Sequence, residues 1–241
     1  MSESVGYVGK DLEAMSFAVN YHRWILSGFA PYLGTRVVEV GAGKGSFSEL
    51  LCECRPQSLS LIEPSPSMFM QLSQTVKEFS GPVEVKLYNE TFASVAAQIR
   101  MLQQPDSIVY VNVLEHTADD EAEMRVMHDT LGSGGRVFIF VPALSWLYGS
   151  FDRELNHYRR YSRGDLEEKC RAAGFRILVS RYFDLFGVVP WWIKYKLLQS
   201  RKMESATVKF YDQAVVPIAK RIEAKLDPPV GKNILLVAEK I

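Results

Sequence analysis

The chain has 241 residues, 47% hydrophobic and 23% charged, and its 28 basic residues are balanced by 28 acidic ones. That length suits one large α/β domain, or one domain with an insertion, and the apolar fraction can fill a sizeable core. Zero net charge gives no global field toward nucleic acid or an anionic membrane, so composition describes an ordinary enzyme-sized protein.

Taken in chain order, the first fifteen residues lack the basic and apolar blocks of a signal peptide, and none is expected. A helical period then runs from Asp11 to Ala30 through Leu12, Met15, Phe17, Val19, Trp24 and Ile25, until Pro31 and Gly34 break it. Beyond it, strands are expected at Arg36–Val40, Leu59–Glu63, Val83–Tyr88, Ser107–Val111, Arg136–Val141, Arg176–Tyr182 and Ile234–Glu239. Helices are expected between them at Ser46–Cys54, Ser67–Phe79, Phe92–Met101, Asp119–Leu131 and Arg163–Ala173. Several strands are nearly all apolar, as in a parallel sheet covered on both faces. The alternation predicts a doubly wound α/β fold. Residues 184–227 break the rhythm, with "FGVVPWWIKYKLLQ", a helical stretch near Val215–Leu226 and then Pro228-Pro229. They read as a helical insertion before the last strand. The predicted organisation is a helical cap over 1–35, a core over 36–183 and 228–241, and an insertion or lid over 184–227.

Cys52, Cys54 and Cys170 cannot all pair, and no second cysteine pair or nearby histidine completes a zinc site with C-x-C. They read as reduced thiols of a cytoplasmic protein, and no metal is expected. No apolar run reaches the roughly 18 residues of a membrane span.

The chemistry starts at "VVEVGAGKGSFSELL", where Gly41, Gly43 and Gly45 sit between a strand and a helix. Ligands of open parallel sheets bind at the carboxyl ends of the strands, and glycine lets the backbone approach them. The dinucleotide fingerprint G-x-G-x-x-G fails because Ser46 stands at its third glycine, and the P-loop pattern fails because Gly45 follows Lys44. Glu63 ends the second strand about 20 residues on, where an acid accepts ribose hydroxyls. Glu39, just ahead of the loop, would repel a pyrophosphate and favour a cationic amino-acid end. S-adenosylmethionine meets both demands.

This stretch with "LSLIEPS", "YVNVLEHTADD" and "LGSGGRVFIFVPA" resembles the motifs of class I S-adenosylmethionine-dependent methyltransferases, over roughly Tyr21 to Phe183 and the last strand. "WLYGSFDRELNHYRRYSRGDLEEKCRAAGF" is similar to a bacterial subgroup of small methyltransferases with an H-Y-R-R-Y loop. The resemblance implies a Rossmann-like, mostly parallel seven-stranded sheet with the last strand antiparallel. It implies that Glu39 and the backbone of Gly41, Ala42, Gly43 and Gly45 hold the methionine part, and Glu63 the ribose. Pro64 and Ser65 would flank the adenine, and Asn112, Val113 and Leu114 would line the other wall. The adenine amine falls to Asn89, Glu90 or Thr91, with Glu90 then Thr91 favoured, although "YNETFAS" departs from the usual G-D. Tyr21 would reach the methionine carboxylate.

Methyl transfer needs alignment more than acid–base chemistry, and a base only where the acceptor must lose a proton. Candidates lie in 148–161, a loop that leaves the fifth strand at the ligand edge. Histidine titrates near neutral pH, so His157 is a base candidate, with Asp152 to orient it. Arg159 or Arg160 could hold an anionic group, and Tyr161 completes the set. The competing reading is a structural clasp, with arginine paired to Asp152 or Glu154. His116 is a second base candidate.

In the insertion, Trp191, Trp192, Ile193, Tyr195 and Leu197 interleave with Lys194 and Lys196, which suits a buried lid, a dimer contact or weak membrane-surface contact. The expected activity is methylation of a small molecule at oxygen, nitrogen or carbon, by a monomer or homodimer. The absence of an N-P-P-Y motif and of a basic tail argues against nucleic acid. A protein or nucleic-acid methyltransferase, a cofactor-binding protein without transferase activity, and a dehydrogenase are the alternatives.

Overall fold

The computed structural model describes residues 18–79 and 83–241. The predicted beginning of the first helix, with Leu12, Met15 and Phe17, lies outside the described residues. Helix α1 spans Val19–Phe29, followed by β1 (Arg36–Val40), α2 (Ser46–Glu53), β2 (Ser58–Ile62), α3 (Pro66–Thr75), β3 (Glu84–Tyr88), α4 (Phe92–Gln103), β4 (Ser107–Val111) and α5 (Asp120–Thr130). Then come β5 (Arg136–Pro142), α6 (Ser150–Glu154), α7 (Arg163–Ala172), β6 (Phe175–Phe183), α8 (Val188–Trp191), α9 (Ser205–Phe210), α10 (Val216–Glu223) and β7 (Asn233–Lys240).

The seven strands form one sheet in the order β3-β2-β1-β4-β5-β7-β6. All adjacent pairs are parallel except those of β7, which runs antiparallel to both β5 and β6. Successive side chains of a strand point to opposite faces. Val38 and Val40, with Val137, Ile139 and Val141, therefore pack under α4, α5 and α7. Val37, with Phe138 and Phe140, packs under α1, α2 and α10. Both faces are covered, which is why these strands read as continuous apolar runs. Because β7 is reversed, its first residue, Asn233, pairs with Pro142 at the end of β5 and Phe183 at the end of β6. The beginning of the last strand thus joins the carboxyl ends of the parallel strands at one edge.

Three elements differ from expectation, the first being α6, a short helix inside the 148–161 stretch that reads as a loop. The helix predicted over Ser67–Phe79 ends at Thr75 and tightens into a 3₁₀ turn at Val76–Glu78. The insertion is more helical than the sequence shows. Its second helical run begins at Ser205, passes through a π-turn at Tyr211–Val215 and ends at Glu223. The π-turn places the Asp212 carboxylate on the start of α1, where it accepts from the N–H of Asn20 (3.1 Å) and Tyr21 (2.8 Å). A carboxylate at a helix N-terminus satisfies orphan N–H groups and complements the helix dipole. Glu223 likewise accepts from the N–H groups of Asp184 and Leu185. Among the described residues, no helix is long and apolar enough to cross a membrane.

Candidate active site

Gly41 follows β1 with φ +72°, and a Cβ there would stand 2.4 Å from Val113 Cγ2. Its N–H and that of Ala42 both donate to the Ile62 carbonyl at the end of β2. Gly45 takes φ +90° as the residue ahead of α2. Any side chain at Gly41 would push the loop off the segment after β4, so the cleft between β1 and β4 depends on glycine.

Two buried acids flank the loop. Glu39 accepts a short hydrogen bond from the Ser48 hydroxyl. Burial pushes its carboxyl from the ordinary 4.5 up to about 8, against the Ser48 bond and with help from the nearby Glu63. Glu63 Oε2 accepts from Gly43 N–H (2.9 Å) and Oε1 from Ser65 N–H (2.8 Å). Burial raises its pKa too, opposed by those two N–H groups. Pro64 stands between Glu63 and Ser65, and Asn89 Nδ2 donates to the Glu63 carbonyl (2.8 Å). Glu90 and Thr91 are exposed after β3, where both engage Ser94.

After β4, Asn112 takes φ +53° and donates its N–H to the Phe140 carbonyl. Val113 packs on Gly41. Leu114 does not line a wall with its side chain, which is fully buried in the core under α4 and α5. Tyr21 is also redirected. Its hydroxyl is 3.2 Å from Asp184 Oδ2 and 3.0 Å from Asn233 Oδ1, so it is spent at the foot of the insertion rather than held out to a carboxylate.

The loop after β5 divides into two parts. Arg159 pairs with Asp120 (2.8 Å) and donates to the Ala118 carbonyl. The Tyr161 hydroxyl, fully buried, donates to Asp120 Oδ2 (2.8 Å) and reaches the Leu114 carbonyl. One buried carboxylate at the start of α5 thus holds both of these expected catalytic residues. The second part faces inward. Asp152 Oδ1 meets His157 Nδ1 (3.0 Å) and Arg160 Nε (2.8 Å), while its Oδ2 accepts from Gly149 N–H. Burial works against the ionised Asp152, yet His157, Arg160 and Gly149 outweigh it and hold its pKa below the carboxylate range. The His116 and His157 rings meet edge to face, centroids 4.6 Å apart. Burial lowers the His116 pKa to about 3, with His157 adding to the effect, so His116 is neutral at pH 7.

A cavity of about 100 Å³ opens here, walled by Asn112, Glu115, His116, Phe140, His157 and Trp191. Arg160 stacks over Trp191 (4.8 Å), and Phe151 stacks on Tyr195 (4.8 Å), so the insertion closes the cavity. Glu115, Lys232 and Asn233 were missed as lining residues. The E-H pair and the polar start of an apolar last strand were the only signals for them. A larger hollow of about 530 Å³ lies at the amino ends of the strands, beside Arg36 and Asp106, far from this chemistry.

A dinucleotide-binding sheet has the order 3-2-1-4-5-6. A reversed seventh strand between the fifth and sixth separates this sheet from it and matches a Rossmann-like methyltransferase fold. Solved structures agree on the fold. A SAM-dependent methyltransferase from Archaeoglobus fulgidus is 17% identical with a TM-score of 0.60, over 89% of this chain and 91% of that one. Magnesium protoporphyrin IX methyltransferase from Synechocystis PCC 6803 is 13% identical, TM-score 0.58, over 100% and 90%. Burkholderia thailandensis 1,6-didemethyltoxoflavin-N1-methyltransferase is 15% identical, TM-score 0.58, over 96% and 82%. No curated protein matches the sequence. The family model described as a methyltransferase domain matches residues 18–180, more than half of the chain, and the chain belongs to that family of enzymes.

Proposed function

We propose that the chain methylates a small molecule seated in the cavity beneath the insertion. The observation that carries this reading is that Asn112 and Phe140, at the ends of β4 and β5, share the cavity wall with His157. S-adenosylmethionine is the cofactor, and it supplies a methyl group already activated on a sulfonium. The donor set fits it: a bare backbone at Gly41 and two buried acids suit a cationic amino acid joined to a ribose. Glu39 and the bare backbone of Gly41, Ala42, Gly43 and Gly45 flank the methionine end, and Glu63 takes the ribose hydroxyls. Pro64, Glu90 and Thr91 take the adenine side, while Asn112 and Val113 form the facing wall. His157, oriented by Asp152, governs the acceptor's proton, and the insertion excludes water.

Calorimetry tests the cofactor reading. S-adenosylhomocysteine is expected to bind with an affinity of roughly micromolar order, about −8 kcal/mol. NAD is expected to give no heat, and binding of NAD in place of S-adenosylhomocysteine would overturn the reading.

The outer face of the insertion supports weak membrane-surface contact. Val189, Trp192, Ile193, Leu197 and Leu198 are exposed beside Lys194 and Lys196. An apolar face rimmed by lysines lies in a headgroup layer. Co-flotation with anionic vesicles, lost in Trp192→Glu, is the expected result; wild type left at the bottom of the gradient removes this contact.

A further inference from the structure

Glu115 is completely buried, and among the described residues neither carboxylate oxygen has a hydrogen-bond partner. A buried ionised carboxylate without a partner is costly, and a protonated one still leaves polar atoms unmet. The two cations on the cavity wall are engaged elsewhere: Arg160 with Asp152 at 2.8 Å, and Lys232 with Asp184 at 2.9 Å. His116 and His157 stand beside Glu115. Each of the three residues offers one donor atom, and these atoms lie within 4.8 Å of one another.

We infer that Glu115, His116 and His157 hold a divalent first-row transition-metal ion at the floor of the cavity. Two imidazoles and one carboxylate suit Mn²⁺, Fe²⁺, Co²⁺ or Zn²⁺, whereas Mg²⁺ and Ca²⁺ take oxygen ligands. Histidine ligands usually hand their second ring nitrogen to a carboxylate or carbonyl, which fixes the ring. Both do so here: His157 Nδ1 is held by Asp152, and His116 bonds the backbone of Leu155. Bonds of about 2.1 Å set tetrahedral ligand atoms about 3.4 Å apart, so small side-chain rotations close the three groups on an ion.

Three protein ligands leave coordination positions open to the cavity. Resting on the methyl-transfer reading, the ion would lower the pKa of an acceptor hydroxyl bound there. The proton passes to water and the oxygen forms the new bond to the methyl carbon. The carbon–sulfur bond breaks, and its electron pair stays on sulfur. His157 then governs the proton as a ligand that positions the ion, not as the base.

The test is calorimetric titration of the tag-free, metal-stripped full chain with Co²⁺, Mn²⁺ and Zn²⁺, with the visible spectrum of the Co²⁺ form. One equivalent is expected, with absorption bands of nitrogen-ligated Co²⁺. Glu115→Gln and His157→Ala should each weaken binding by at least about tenfold. Absence of binding of all three ions to the wild type, or wild-type affinity kept in both variants, overturns the inference and leaves Glu115 a buried acid that holds no ion. S-adenosylhomocysteine titrated into the same sample keeps the two readings apart. Metal binding without it sinks only the transferase reading; its binding without metal sinks only the metal site.

Discussion

His157 Nδ1 lies 3.0 Å from Asp152 Oδ1, and this bond leaves Nε2 as the ring nitrogen available to the cavity. The same carboxylate also carries Arg160, whose side chain is almost fully buried. Removing the charge of Asp152 would strand a buried guanidinium. Asp152→Asn is therefore expected to destabilise the fold by about 3–5 kcal/mol, the cost of breaking one partner from a buried pair. Urea denaturation checks this. A loss no larger than that of a surface change would mean that Arg160 finds another acceptor.

Gly41→Ala places a methyl 2.4 Å from Val113 Cγ2 at a φ of +72°. Overpacking of this kind costs about 1–3 kcal/mol. The loop should shift, and S-adenosylhomocysteine affinity should fall by more than the melting temperature suggests. Unchanged affinity would show that the loop backbone does not touch the ligand.

Glu63 accepts two N–H groups of its own loop, so loss of affinity in Glu63→Ala mixes ligand and loop effects. The 2′-deoxy analogue of S-adenosylhomocysteine separates them. Wild type should prefer the natural ligand by about 1–3 kcal/mol, the worth of a hydrogen bond to a charged group. Glu63→Ala should prefer neither; a preference that survives would remove Glu63 from the ribose.

Burial raises the Glu39 carboxyl from 4.5 to about 8, so the folded protein favours its neutral form. That contribution to stability is complete below pH 4.5 and is lost as pH rises toward 8. Denaturation of Glu39→Gln should show a flatter stability profile across this window than wild type. Near pH 7, a ligand ammonium beside Glu39 favours the carboxylate. S-adenosylhomocysteine binding should then release a proton, visible as a binding heat that depends on the buffer. A buffer-independent heat would contradict both the shift and the contact.

Tyr161→Phe deletes only the hydroxyl that Asp120 and the Leu114 carbonyl hold. The expected loss is about 1 kcal/mol in stability, with cofactor affinity unchanged. A fall in turnover without a fall in melting temperature would restore Tyr161 to the chemistry.

The sequence by itself determined the strands and the glycine turn that follows β1. Arg36–Val40 and Ser107–Val111 coincide with β1 and β4, because their limits are set locally by apolar runs and by the glycine, proline and acidic residues around them. The glycine loop was legible for the same reason: backbone φ is a property of single residues. Only the tertiary structure decided which partner each charged side chain takes. Asp152 and Glu154 were equal candidates for the arginines, yet Asp152 takes Arg160 while Asp120, across the fold, takes Arg159 and Tyr161. Asp212 caps a helix 191 residues earlier, and Tyr21 loses its hydroxyl to Asp184 and Asn233. Carboxylates are chemically alike, and hydrogen bonds reach only about 3 Å, so chain path rather than residue type chooses among them.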